Sequence, residues 1–164
     1  MKKTRPKPPA LHKAVELLAR QEHSEARLQE KLQRRGYAED EIAAALDRLK
    51  EKRYLDDEAA CAREFQHFYE ESAMSLRQIG QKLIQRGFPA ALVRAAAPED
   101  TAQREENAAR KCLAQKFRAA APREKLKVFL YRRGFCYTTC EAAVTAFFSE
   151  HPDWEQEEAS EFEE

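Results

Sequence analysis

The sequence predicts an all-α protein of three tandem three-helix repeats, and three observations carry that expectation. The first is a phrase written three times: Lys31-Leu32-Gln33-Arg34-Arg35-Gly36-Tyr37, Lys82-Leu83-Ile84-Gln85-Arg86-Gly87-Phe88 and Phe129-Leu130-Tyr131-Arg132-Arg133-Gly134-Phe135. Each copy has Leu, two variable residues, Arg-Gly and an aromatic ring. A recurrence of about 50 residues marks a repeat architecture. The second is that the flanks agree as well. Leu28, Ile79 and Leu126 precede the phrase at one spacing, Ser24, Ser75 and Pro122 at another, and Ile42, Val93 and Cys140 follow it. The third is composition: 4 Gly in 164 residues, 35% charged residues and few β-branched ones favour helices.

The elements follow in chain order. Leu11, Val15 and Leu18 recur at helical spacing and open repeat one. Ser24 is a good N-cap for a second helix with Leu28 and Leu32 on one face. Gly36 stops it, because only Gly enters the left-handed C′ conformation without steric cost. Asp40 opens a third helix with Ile42, Leu46 and Leu49 inward. Tyr54-Leu55-Asp56-Asp57 joins repeat one to repeat two, with Asp56 or Asp57 as the next cap. In repeat two, Cys61, Phe65 and Phe68 form the first stripe. Ser75 caps the helix of Leu76, Ile79 and Leu83, Gly87 ends it, and Pro89 suits the start of a short helix through Val93. In repeat three, Ala109, Leu113 and Phe117 make the first stripe. Pro122 begins the helix of Leu126 and Leu130, Gly134 ends it, and Cys140, Val144, Phe147 and Phe148 complete the set.

These boundaries predict a basic N-terminal tail (residues 1–8), repeats at 9–56, 57–98 and 99–150, and an acidic, disordered C-terminal tail (151–164). No repeat has enough apolar residues for an independent core, so stacking must supply it. Lys+Arg and Asp+Glu are 29 each, which excludes a generic polycation. The basic start runs into the amphipathic Leu11-His12-Lys13-Ala14-Val15-Glu16 with no apolar segment, so the chain reads as cytoplasmic, with reduced thiols. The glycines never cluster into a nucleotide loop, and no nucleophile–base–orienter set is recognisable. The expectation is a protein without catalytic residues, metal or cofactor. Cys136 and Cys140 are spaced for one helix face but lack a second close pair to complete a tetrahedral metal site, and Cys140 falls on an apolar stripe.

Leu18-Ala19-Arg20-Gln21-Glu22-His23-Ser24, Leu28, Lys31-Leu32, Gly36 and Tyr54-Leu55-Asp56-Asp57 together resemble the RecX family, bacterial regulators of the RecA recombinase. The resemblance covers about residues 10 to 150. It implies an elongated, curved helical array (a right-handed-bundle array) that binds the RecA–DNA filament along its groove and limits recombinase activity. Arg53 departs from it, since the family usually has Gly before the Tyr-Leu-Asp-Asp segment. Glu70-Glu71-Ser72-Ala73-Met74 departs too, standing where a basic, Gly-containing stretch is common.

Two sets of residues invite a functional reading. Arg35, Arg86 and Arg133 stand before the three glycines, where a cation in the last turn complements the helix dipole and can bond free carbonyls. Arg27 and Arg34 in repeat one, and Lys125 and Arg132 in repeat three, share a flank turned away from the core, which Gln78 and Gln85 occupy in repeat two. Such pairs suit phosphate oxygens or acidic side chains of a partner filament. The alternative is a direct nucleic-acid-binding protein using helix-turn-helix-like repeats. Neutral net charge and the lack of a recognisable aromatic-and-basic stacking platform speak against it. A monomer without membrane association completes the reading.

Overall fold

The computed structural model describes residues 7–154. Among these residues nine helices run in order: α1 (Ala10–Leu18), α2 (Glu25–Gln33), α3 (Glu39–Glu51), α4 (Asp57–Glu71), α5 (Leu76–Gln85), α6 (Ala90–Ala96), α7 (Ala102–Lys116), α8 (Arg123–Arg132) and α9 (Tyr137–Glu150). No strand occurs among the described residues. Three helices therefore fall to each repeat. Residues 152–154 are helical as well.

The recurring phrase is a helix-stop device. Tyr37 N–H donates to the Leu32 carbonyl at 3.3 Å and Gly36 N–H to the Gln33 carbonyl at 2.8 Å. Phe88→Leu83 with Gly87→Ile84, and Phe135→Leu130 with Gly134→Tyr131, repeat the pair. This is the Schellman pattern, and it explains the Leu, the Gly and the aromatic of the phrase. Leu offers the outer carbonyl, Gly takes the left-handed turn (φ 73°, 89° and 87°), and the aromatic that follows is buried. A fourth copy ends α3, where Tyr54 N–H reaches the Leu49 carbonyl at 2.9 Å. Its turn residue is Arg53 at φ 55°, an L-residue where glycine would be unstrained.

By compactness the chain falls into two units. One comprises residues up to Glu64 together with Leu83–Ala96; the other comprises Phe65–Lys82 together with residues from Ala97 onward. The division passes through α4 and α5, so the middle repeat contributes to both units.

In the first unit Ala10, Ala14, Leu17, Leu28, Leu32, Ile42, Leu46, Leu49 and Leu55 form the core. The inward stripe of α1 is thus Ala10–Ala14–Leu17 and not Leu11–Val15–Leu18. Val15 is 45% exposed, and Leu11 and Leu18 sit at the edge of the cluster. Periodicity counts large apolar residues, whereas α1 turns two alanines, which permit close approach, toward α3. Helix α3 begins at Glu39 with Ala38 as N-cap, and Asp40 lies in its first turn. The basic start is not wholly a tail. Tyr37 Oη donates to the Pro8 carbonyl at 2.8 Å, and Lys7 Nζ lies 3.5 Å from the centre of the Tyr37 ring.

In the second unit Ala109, Leu113, Leu126, Leu130, Phe135, Cys140, Val144, Phe147 and Phe148 build the core. His151 stacks on Phe147 with ring centres 4.3 Å apart, and Trp154 meets Phe147 edge-on at 5.4 Å. Residues 151–154 are therefore packed, which corrects the expectation of disorder from His151 onward. The aromatic pair Trp154 and His151 outweighs the acidic neighbours locally. Residues 155–164 lie outside the described residues.

Candidate functional site: two repeat joints and the grooves beside them

Each unit contains one joint between successive repeats, and the two are built alike. In the first unit Ser24 Oγ accepts from Arg27 N–H (3.2 Å) and donates to the Arg86 carbonyl (2.7 Å). In the second unit Ser75 Oγ accepts from Gln78 N–H (3.2 Å) and donates to the Arg133 carbonyl (2.7 Å). One hydroxyl thus caps its own helix and fixes the end of the next repeat's middle helix. A carboxylate from the following repeat completes each joint. Asp57 Oδ1 accepts Glu25 N–H at 2.8 Å, and Glu105 Oε1 accepts Leu76 N–H at 3.0 Å. Both serines are fully buried.

The repeat glycines therefore have two reasons to be glycine. A Cβ on Gly87 would lie 2.6 Å from Ser24 Oγ, and one on Gly134 would lie 3.0 Å from Ser75 Oγ and 3.1 Å from Arg77 Cδ. At Gly36 the nearest atom to such a Cβ is Lys7 Nζ at 3.8 Å, so the backbone alone favours glycine there. Pro122 replaces the serine in repeat three.

The junction segment divides its labour. Asp56 Oδ1 accepts Ala59 N–H at 3.0 Å and caps α4, while Asp57 serves the joint. Leu55 is buried and Tyr54 is exposed. Burial raises the pKa of Asp57 and of Glu105, in each case against the backbone hydrogen bond that lowers it. Sequence reasoning missed Glu105, Arg104 and Arg77. Arg104 spans the end of α4, its Nε donating to the Tyr69 carbonyl (2.9 Å) and Nη2 to the Ser72 carbonyl (3.2 Å), over the Tyr69 ring. The repeat offset does not find Glu105: Asp57 stands 30 residues before Gly87, and the same offset from Gly134 falls on Arg104.

A groove lies beside each joint, and here the two differ. The first, about 170 Å³, is lined by His23, Arg27, Lys31 and Arg86 but also by Glu22 and Glu64. The arginines in and beside it are paired with carboxylates. Arg86 pairs with Glu64, Arg63 with Glu22, and Arg27 with Glu30 at 2.5 Å. Arg34 pairs with Glu30 too. Lys31 Nζ lies 3.0 Å from His23 Nε2, so the imidazole accepts there and carries its proton on Nδ1. Burial, and then Lys31, Arg27 and Arg86, hold the His23 pKa below its ordinary value.

The second groove, about 340 Å³, is lined by Arg77, Gln78, Gln81, Tyr131, Arg132 and Arg133, with no carboxylate. Tyr131 and Arg132 also border an adjoining groove of about 400 Å³ that contains Val128, Tyr137, Lys127, Glu124 and Glu141. Tyr131 and Tyr137 are 70% and 71% exposed. Exposed tyrosines beside arginines form an aromatic-and-basic surface that the sequence alone did not reveal, because its members come from α5, α8 and α9. That corrects the expectation that no such platform exists.

The predicted residues are thus dispersed. Arg27 and Arg34 share Glu30; Arg132 joins Gln78 and Arg77 at the second groove; Lys125 is exposed and lines neither groove. Of the arginines before glycine, Arg35 donates to the Lys31 carbonyl at 2.7 Å, capping its own helix. Arg133 covers Phe129 at 5.1 Å.

Three-helix repeats joined within each unit by a buried hydroxyl, with a cationic groove beside the second joint, define a helical-repeat protein. Comparison with known proteins gives the family. Residues 10–49 match the family model for the first three-helix domain of RecX. Over 147 residues the chain is 31% identical to the regulatory protein RecX of Chlorobium limicola, covering 88% of this chain and 92% of that one. It is 31% identical over 156 residues to the regulatory protein RecX of Geobacillus thermodenitrificans, covering 58% of that longer chain. The crystal structure of RecX from Lactobacillus salivarius shares the fold, with a TM-score of 0.71 at 17% identity over 84% of this chain and 94% of that one. The chain belongs to the RecX family of regulatory proteins. No helix among the described residues is long and apolar enough to cross a membrane.

Proposed function

We propose that this protein acts as a monomer in the cytoplasm, occupying the RecA–DNA filament at several points and limiting recombination and repair, without catalysis of its own. The observation that carries this reading is the carboxylate-free groove of Arg77, Arg132 and Arg133. Guanidinium forks bind phosphate or carboxylate oxygens in pairs, and a nucleoprotein filament offers both. Within the second unit the Ser75 joint holds Arg77 beside Arg132 and Arg133, so their contacts add with little new ordering cost.

A second reading, direct binding to single-stranded nucleic acid, is favoured by Tyr131 and Tyr137, whose exposed rings suit base stacking beside those arginines. One experiment separates the two: binding of the full chain to RecA on single-stranded DNA, to RecA alone and to bare DNA, each at low and moderate salt. Filament regulation predicts binding to the filament well above either component. Equally tight, steeply salt-dependent binding to bare DNA would replace it with the second reading.

A further inference from the structure

Two thiols stand one helical turn apart at the start of α9, and their surroundings differ sharply. Cys136 is the N-cap residue, with extended backbone (φ −74°, ψ 163°), and is exposed. Its Sγ lies 3.2 Å from Thr138 Oγ1 and 3.1 Å from Thr139 Oγ1. The hydroxyls of Thr138 and Thr139, and then the Thr139 backbone N–H, favour its thiolate and lower its pKa. A helix N-terminus adds to that preference. Cys140 is buried in the core with Val144 and Phe147, and its thiol donates weakly to the Phe135 carbonyl at 3.8 Å. Burial pushes its pKa up to about 11, with the charge of Cys136 a further cause. Cys140 nonetheless borders the groove of Tyr131 and Tyr137, which gives it a route to small solutes. The other two cysteines, Cys61 and Cys112, are buried.

We propose that Cys136 and Cys140 form a reversible peroxide-sensitive pair, Cys136 being the thiol attacked and Cys140 the thiol that resolves it. An exposed, thiolate-favouring cysteine next to a second thiol is the arrangement that redox sensors require. The Cys136 thiolate attacks one oxygen of hydrogen peroxide, the O–O bond breaks, and the departing hydroxide takes up a proton as water. Cys136 is then a sulfenic acid. The Cys140 sulfur attacks the Cys136 sulfur, the S–O bond breaks, and the leaving hydroxide accepts the Cys140 proton. Two thiols and one peroxide give one disulfide and two waters.

Geometry makes the bridge labile. Cβ atoms four residues apart on a helix lie about 5–6 Å apart, against about 3.8 Å in a relaxed disulfide. Closure must tighten the first turn of α9, and Cys136 has the freedom to allow it because its backbone is already outside the helix. A bridge strained in this way is easily reduced, as a switch requires. Tyr137 is the first residue of that turn, so closure reshapes the groove beside Arg132.

The test is peroxide titration of the full chain, with each thiol followed by mass spectrometry of peptides and sulfenic acid trapped by dimedone. Wild type should lose the Cys136 and Cys140 thiols together, at least about tenfold faster than Cys61 or Cys112, and dithiothreitol should restore both. Cys140→Ala should accumulate dimedone-reactive Cys136, and Cys136→Ser should leave Cys140 reduced. Oxidation of Cys136 no faster than Cys61, or identical products from wild type and Cys140→Ala, would overturn the proposal. The readout is covalent chemistry, so it stands or falls apart from any partner's identity.

Discussion

The two repeat joints share one backbone design and differ in the carboxylates that surround them. At both, a buried serine bridges to the carbonyl of the arginine before a left-handed glycine, and a carboxylate from the following repeat takes the free amide beside it. At the first joint the neighbouring Arg63, Arg27 and Arg86 pair with Glu22, Glu30 and Glu64. At the second, Arg77, Arg132 and Arg133 line a groove without a carboxylate. The difference separates two jobs. Backbone and hydroxyl geometry hold the repeats together, and in the proposed function side-chain charge on that frame sets which joint meets a partner.

Breaking the shared part should have the largest effect. Gly87→Val places a β-branched residue at positive φ and against Ser24 Oγ, so it should cost about 2–4 kcal/mol. Gly134→Val should cost somewhat less, since its Cβ meets Ser75 Oγ at 3.0 Å and the movable Arg77 side chain. Gly36→Val carries backbone strain alone, about 1–2 kcal/mol. Urea unfolding of the three variants checks the order, and equal losses would mean that the joints impose no steric limit.

Next in size, Ser75→Ala removes both a cap and a bridge and should cost about 1–2 kcal/mol. Pro122→Ser adds a hydroxyl that has no further repeat to bridge to among the described residues, and it should leave the melting temperature nearly unchanged. A stabilising Pro122→Ser would show that capping, not the bridge, is what the serines supply.

The pH response sharpens the contrast at the first joint. His23, facing Lys31, Arg27 and Arg86, has a folded pKa below its ordinary 6.5. The folded protein therefore binds fewer protons than the unfolded chain, and stability falls as pH drops from about 6.5 toward the folded value. Asp57 and Glu105 act in the opposite sense at lower pH, because their raised pKa values let the folded state take up protons first. His23→Gln should flatten the loss between pH 7 and the raised carboxylate range. An unchanged slope would move the effect elsewhere.

The smallest expected effect is a gain. Arg53→Gly relieves a positive φ of 55°, worth about 1–2 kcal/mol, less the extra chain entropy of glycine. The net rise in stability should stay below about 1 kcal/mol. A loss would show that the Arg53 side chain contributes more than its backbone costs.

These contrasts show which parts of the molecule the residues announce. Helix ends were legible because Schellman turns need Leu, Gly and an aromatic at fixed offsets, and the three-fold phrase states them outright. The stripe of α1 was misread because alanines carry little weight in a periodicity of large residues. The joints were half legible: Ser24 and Ser75 could be named as caps, but a hydroxyl's second bond, to a carbonyl some sixty residues away in sequence, leaves no local trace. The second groove was not legible, since Arg77 and Gln81 come from α5 while Tyr131 and Arg132 come from α8. Conversely, the pairing of Arg27 and Arg34 with Glu30 was available in the sequence as i+3 and i−4 spacings.

The most direct test of the central claim compares two double variants, Arg77→Ala with Arg132→Ala and Arg27→Ala with Arg34→Ala, for binding to RecA filaments on single-stranded DNA. Far-ultraviolet circular dichroism confirms that each is folded. The Arg77/Arg132 variant should bind about tenfold more weakly at low salt, with the gap closing as salt rises. The Arg27/Arg34 variant should bind like wild type, because its charges are already answered by Glu30. Equal weakening by the two variants, or wild-type binding by the first, would contradict the assignment of the second joint as the partner face.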